Sequence, residues 1–238
     1  MMTEHTMKAF DADLQELGRM VAEMGGLAEH QIGDAVDALK RRDATLAQRV
    51  IALDARIDAL QHELEEKAIL TIARRQPMAV DLREIVGALR ISNDLERIGD
   101  LAKNIAKRVI ALTSELQSQK VMRGVEHMAD LVLAQIKDVL DAYARRDPDK
   151  ALAVWRGDEE VDAVNNSLFR ELLTYMMEDP RNIGICIHLV FCAKNIERMG
   201  DHATNIAETV YYMAEGRTLT DERPKGDQTS STVFPFDA

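Results

Sequence analysis

Carboxylates spaced one helical turn apart are the residues of this chain whose type and placement could do chemistry. Two stretches carry them, NDLERIGDLAKNIAKR from Asn93 and KNIERMGDHATNIAET from Lys194, identical at eight of sixteen positions and 101 residues apart. Glu96 with Asp100 and Glu197 with Asp201 are acids at i, i+4, and each stretch is preceded by a similar pair, Asp54 with Asp58 and Asp158 with Asp162. Residues four apart lie on one helix face, where two like charges repel by a few tenths of a kcal/mol unless something positive sits between them. A divalent cation is one such thing. An all-carboxylate set without thiolates suits hard ions such as magnesium, manganese, calcium or ferrous iron.

Forty-one acids in 238 residues give about seven such pairs by chance, so a single pair has no weight. Moreover, the apolar stripe Leu95, Ile98, Ala102, Ile105, Val109 and Leu112 places Glu96 and Asp100 on the outward side, where acids are ordinarily solvated. The stripe Ile196, Met199, Ala203, Ile206, Val210 and Met213 repeats that frame around Glu197 and Asp201. Repetition gives the pattern its weight, because both copies hold both pairs on consecutive helices, and antiparallel neighbours would line one external groove per copy with four carboxylates. Gly99 and Gly200 stand just before the second acid of each motif. A glycine inside a helix costs about 1 kcal/mol relative to alanine, so either a close helix crossing or an approaching ligand is implied. Asn104 and Asn205 are either amide ligands or plain surface residues. His202 adjoins Asp201, but successive helical residues point about 100° apart, and His30, His62, His127 and His188 have no partner at a metal-binding spacing. No glycine-rich phosphate loop and no serine or cysteine triad pattern is present.

Helices must position these acids. The composition, 46% hydrophobic, 4% aromatic and 30% charged with five prolines, is that of a helical bundle. Hydrophobic period predicts six long helices over about Met7–Lys40, Asp43–Arg75, Ala79–Thr113, Val121–Arg146, Pro148–Glu178 and Asn182–Glu215, with no strand. ALKRRDATLAQRVIALDARIDA from Ala38 aligns with AYARRDPDKALAVWRGDEEVDA from Ala142 at an offset of 104, so the repeat extends beyond the acidic helices. The expectation is an all-α tandem duplication of a three-helix bundle: residues 1–116, residues 117–215, and a loose polar tail over 216–238. A period above 100 residues is too long for a short-repeat solenoid. A net charge of −11 argues against nucleic acid and anionic lipid as partners. The longest uncharged apolar run, Ile183 to Ala193, falls far short of the roughly 20 residues that cross a bilayer, and the N-terminus does not read as a signal peptide. Cys186 and Cys192 read as reduced, buried thiols of a cytoplasmic protein.

The two Glu-Arg-Ile/Met-Gly-Asp segments, MGGLAEHQIGDAVDAL in the first helix, RRQP with the following DLR, TYMMED and FCAKNIERMGD together resemble the PhoU family of phosphate-transport accessory and regulatory proteins, over about residues 10–215. The resemblance implies two similar three-helix bundles whose acidic motifs can hold multinuclear metal clusters at the surface. Carried over, the ligands are Asp54, Asp58, Glu96 and Asp100 for one cluster and Asp158, Asp162, Glu197 and Asp201 for the other. The metals would be divalent or iron-type ions: iron, manganese, magnesium, zinc or calcium. It further implies regulation without catalysis, with the ATPase of a phosphate ABC transporter and a sensor histidine kinase as partners, a homodimeric assembly, and membrane contact only through those partners. Two other classes compete. A di-iron carboxylate protein ordinarily uses Glu-x-x-His on inward faces, and no histidine here stands three after a glutamate. A metal-free helical adaptor would use the acids only to meet basic partner surfaces.

Overall fold

The computed structural model of the chain describes residues 2–112 and 119–220. Its elements are α1 (Met2–Arg41), α2 (Ala44–Arg75), α3 (Val80–Ala111), α4 (Gln119–Arg145), α5 (Pro148–Arg156), α6 (Asp158–Glu178), a 3₁₀ turn (Pro180–Asn182) and α7 (Ile183–Glu215). No strand occurs among the described residues, as the period predicts. The expected tail lies largely at 221–238, outside the described residues, as do 113–118 of the linker.

The repeated Ala-x-x-Arg-Arg-Asp has a local structural explanation. Arg42 and Arg146 take left-handed conformations, φ 54° and 53°, and the amides of Asp43 and Asp147 return to the carbonyls of Ala38 and Ala142 at 3.0 and 2.9 Å. Each corner is therefore a helix stop in which the last carbonyls of one helix are satisfied. The same aspartates then start the next helix: Asp43 accepts from the amides of Thr45 and Leu46, and Asp147 from that of Lys150. Such caps are worth about 1 kcal/mol each.

One expectation is corrected. The fifth helix, predicted as continuous over 148–178, breaks at Gly157, whose carbonyl is taken by the Gln135 side chain at 3.1 Å. Glycine weakens the helix there, and Asp158, Glu159 and Glu160 form the acidic first turn that favours a new helix start. The short α5 is anchored separately by Trp155, whose indole N–H donates to Glu208 Oε1 of α7 at 2.9 Å.

Helices α1, α2 and α3 pack on one another, as do α4, α5, α6 and α7, and a continuous core joins the two sets. The two apolar stripes hold: Leu95, Ile98, Ala102, Ile105 and Val109 are buried, as are Ile196, Met199, Ala203, Ile206 and Val210. The halves meet along α3 and α7, which run antiparallel. Arg90 lies over the Tyr212 ring and Arg108 over the Phe191 ring, at 5.6 and 4.1 Å from the centroids. Helix α1 meets α4 where Lys40 pairs with Glu126 at 3.0 Å and Leu140 packs on Gly25. Gly25 thus permits close packing, while Gly26 has nothing within 4 Å of its would-be Cβ. Both cysteines are free and buried, and burial pushes the Cys192 thiol up to about 12. No described helix is long and apolar enough to cross a membrane.

A Cβ at Gly25 would stand 2.6 Å from Leu140 Cδ1, whereas one at Gly33 would meet nothing within 4 Å. Gly25→Val should therefore lose about 1–3 kcal/mol through overpacking. Gly33→Ala should gain about 0.5–1 kcal/mol. Urea unfolding of the two variants checks both signs.

Candidate functional site

The first acidic set lies in the seam between α2 and α3. Asp54 of α2 and Asp100 of α3 are bridged by the ammonium of Lys103, which donates to Asp54 Oδ2 and, at 2.7 Å, to Asp100 Oδ1. Arg97 caps the outer rim, 3.2 Å from Glu96 and 3.3 Å from Asp100. Asp58 and Glu96 both feel Asp54 and Asp100 electrostatically, so the four acids share one field. In the second half, the Thr204 hydroxyl stands 3.4 Å from Asp158 Oδ1, and Lys194 donates to Glu197 Oε1 at 2.9 Å. Asp162 lies one turn beyond Asp158 on α6, and Asp201 of α7 is half-buried.

These seams are less open than the helical period implies. The side chains of Asp54 and Glu197 are 5% and 6% exposed and those of Glu96 and Asp100 18% and 31%, while Asp158 and Asp162 are buried. The outward placement is thus corrected for Glu197 and in part for Glu96, whereas Asp100 and Asp201 keep partial exposure. A neighbouring helix covers the flank beside each apolar stripe, so positions about 100° from the core are also enclosed. Asn104 is exposed, and Asn205 turns away from the acids to Asp94 of α3 at 3.4 Å, so neither sits as a ligand.

Gly99 and Gly200 do the same thing twice. A Cβ on Gly99 would lie 3.0 Å from Gln31 Oε1 and 3.6 Å from Asp54 Oδ1; on Gly200 it would lie 3.3 Å from Gln135 Oε1 and 3.6 Å from Asp158 Oδ1. Each glycine therefore lets a glutamine from the first helix of its half and an aspartate from the second approach the motif together. Gln31 is wholly buried and anchored by donation from Nε2 to the Val50 carbonyl at 3.2 Å, yet its Oε1 has no hydrogen-bond partner; Gln135 Oε1 is likewise buried without one. An orphaned buried acceptor is costly and points to a missing donor or cation. The signal was in the chain: Gln-Ile-x-Asp-x-x-Asp-Ala at 31–38 recurs at 135–142, at the 104-residue offset. Lys103 carries no comparable mark, because its counterpart at the 101-residue offset is Thr204.

His202 plays a different part from any its neighbour Asp201 suggests. Its Nδ1 stands 2.8 Å from Asp94 Oδ1 across the α3–α7 contact, where it joins the two halves. A cleft of about 710 Å³ also lies between the halves, lined by Glu29, Glu84, Asp141, Tyr143 and Arg146 among others, and none of the eight acids reaches it. Burial there pushes the Tyr143 phenol up to about 12.

The donor set fits a hard cation: carboxylates, an orphaned amide oxygen in each half, and a glycine cradle that a side chain would crowd. Among the described residues, no three acidic, histidine or cysteine side chains already converge as a closed ligand shell, so the carboxylates would have to swing inward on binding.

A duplicated three-helix bundle with a carboxylate seam in each half defines the structural class. Two segments, residues 21–109 and 125–210, match the PhoU domain model. The phosphate-specific transport system accessory protein PhoU homolog of Rhizobium meliloti is 60% identical, covering 95% of this chain and 96% of the relative; that of Caulobacter vibrioides is 54% identical, covering 96% and 100%. Among solved structures, PhoU from Pseudomonas aeruginosa superposes with a TM-score of 0.83 at 42% identity, over 87% of this chain and 100% of that one. The phosphate transport system regulatory protein PhoU from Streptococcus pneumoniae gives 0.82 at 27% identity, over 88% and 99%. The chain belongs to the PhoU family.

Burial first, and then Asp54, holds the Asp58 carboxyl above the usual carboxylate range; burial does the same for Glu96, against the opposing pull of Arg97. In both cases the folded state keeps its proton to higher pH than the unfolded state. Their ionisation therefore lowers stability as pH rises from the ordinary carboxylate pKa through the raised value. Asp58→Asn with Glu96→Gln should raise the melting temperature of metal-free protein at pH 7, and the gain should vanish near pH 4. Thermal unfolding at the two pH values reads this directly.

Proposed function

We propose that the protein is the accessory regulator of a phosphate-specific transport system, holding off the phosphate-starvation response when phosphate is plentiful. In this reading it links the ATPase of the transporter to a membrane sensor histidine kinase and has no catalytic activity of its own. The observation that carries the proposal is the 60% identity to a phosphate-specific transport accessory protein homolog over nearly the whole of both chains. The acidic seams are the second part of the reading. Asp54, Asp58, Glu96 and Asp100 in one half, and Asp158, Asp162, Glu197 and Asp201 in the other, would hold divalent or iron-type cations, with Gln31 and Gln135 supplying neutral oxygens. Such an ion, when bound, supplies positive charge that cancels the repulsion within a seam and leaves coordination positions for a partner's oxygen ligands. Arg97 orients Glu96 and Asp100 at the rim of the first seam, Lys194 holds the enclosed Glu197, and Gly99 and Gly200 keep the approach free of a side chain.

A metal-free adaptor is the second reading, favoured by Lys103, which already brings a positive charge into the first seam.

Deleting the gene should leave phosphate-starvation promoters active in phosphate-rich medium; normal repression in the deletion strain rejects the regulatory role. Glu96→Gln, Asp100→Asn, Glu197→Gln and Asp201→Asn combined should lower the metal content of protein purified without chelator while leaving its circular dichroism unchanged. Metal content equal to that of the parent protein counts against the seams.

A further inference from the structure

The two seams share a backbone but differ at one position. At 103 the first half carries a lysine whose ammonium bridges Asp54 and Asp100, with 21% of the side chain exposed. The equivalent Thr204 is a neutral hydroxyl that donates to the Gly200 carbonyl at 2.9 Å, with Asp158 Oδ1 3.4 Å away. The position of the Lys103 Nζ is the one a cation would want: two carboxylate oxygens from different helices meet it. Next to it, Gln31 Oε1, wholly buried and without a hydrogen-bond partner, and Asp54 Oδ1 converge on the space above Gly99.

We propose that Lys103 is an intramolecular competitor for the first seam: its ammonium holds the cation position, and a divalent ion enters there only by displacing it. The inference rests on the metal-binding part of the function proposed above. Its physical basis is that a divalent ion bound to Asp54 and Asp100 would stand beside the ammonium in a poorly solvated seam, where two like charges repel strongly. A lysine can yield, because its flexible four-carbon stem lets the head group leave for solvent while the stem stays in place. Gln31 is held in place through Nε2, and the ammonium does not reach its Oε1, so Lys103 competes for the carboxylates and not for the amide. The first half is then a seam whose metal occupancy is set by a contest between two cations, and Lys103 is the residue that sets its affinity.

The test uses the full-length chain carrying Glu197→Gln and Asp201→Asn, so that the first seam alone reports, with Mn²⁺ binding followed by calorimetry and electron paramagnetic resonance. Lys103→Thr, which places in the first half the residue type found at 204, should tighten Mn²⁺ binding by about tenfold or more. Lys103→Arg should not, and adding Glu96→Gln with Asp100→Asn should abolish the gain. A second readout needs no substitution at 103. Amine acetylation followed by mass spectrometry should find Lys103 slow to react in metal-free protein and several-fold faster at saturating Mn²⁺; this result decides alone if Lys103→Thr fails to fold. Equal Mn²⁺ affinity with and without Lys103, still dependent on Glu96 and Asp100, overturns the competitor role and leaves the metal reading standing. Absence of Mn²⁺ binding in every form, with unchanged labelling of Lys103, overturns both.

Discussion

A carboxylate taken out of water into the contact between two helices must be met by positive charge or by hydrogen-bond donors, or it gives up its ionisation. That constraint shapes the acidic seams. Asp54 is 5% exposed and is met by Lys103, and Glu197, almost as enclosed, by Lys194, while the Thr204 hydroxyl stands 3.4 Å from Asp158. The surrounding architecture exists to hold these encounters in register. The double-purpose aspartates at the Arg-Arg-Asp corners fix where α2 and α5 start, and the glycines of the motifs let the helices close far enough for the charges to meet.

Neutralisation within the first seam is incomplete. One ammonium inside and one guanidinium at the rim face four carboxylates, and Asp58 and Glu96 remain above the usual carboxylate range despite Lys103 and Arg97. Lys103 itself is held more firmly protonated than an ordinary lysine: burial works against its charge, but the hydrogen bonds to Asp100 and Asp54 outweigh it. The seam therefore keeps a residual appetite for positive charge.

Much of this was legible in the chain and some was not, for identifiable reasons. The helices, the apolar stripes through Leu95–Val109 and Ile196–Val210, and the duplication all follow from a period of 3.6 residues and from self-comparison, which depend on local sequence alone. The break at Gly157 was missed because apolar periodicity runs through it; the acidic turn Asp158-Glu159-Glu160 was the better signal. The enclosure of Glu197 and Glu96 was not legible because a helical wheel knows only its own helix, and whether a flank is covered depends on where α2 and α6 lie. Lys103 and His202 were out of reach for a related reason: Asp54 and Asp94, which they meet across helix contacts, are 49 and 108 residues away in the chain, whereas Gln31 was marked by the repeat at 135–142.

The contact between Asp94 and His202 is made once, although the helices that carry it are copies of each other. At the mirror-related place the residues are Asn195 and Leu101, which form no equivalent pair. Asp94 is only 9% exposed, so a chain rebuilt from two copies of the first half would set a leucine in place of His202 and leave the buried carboxylate with the asparagine alone, Asn104 being the counterpart of Asn205. The two halves are therefore no longer interchangeable: at this boundary each supplies a side chain that the other half's copy lacks, and the chain works as a matched pair rather than as a repeat.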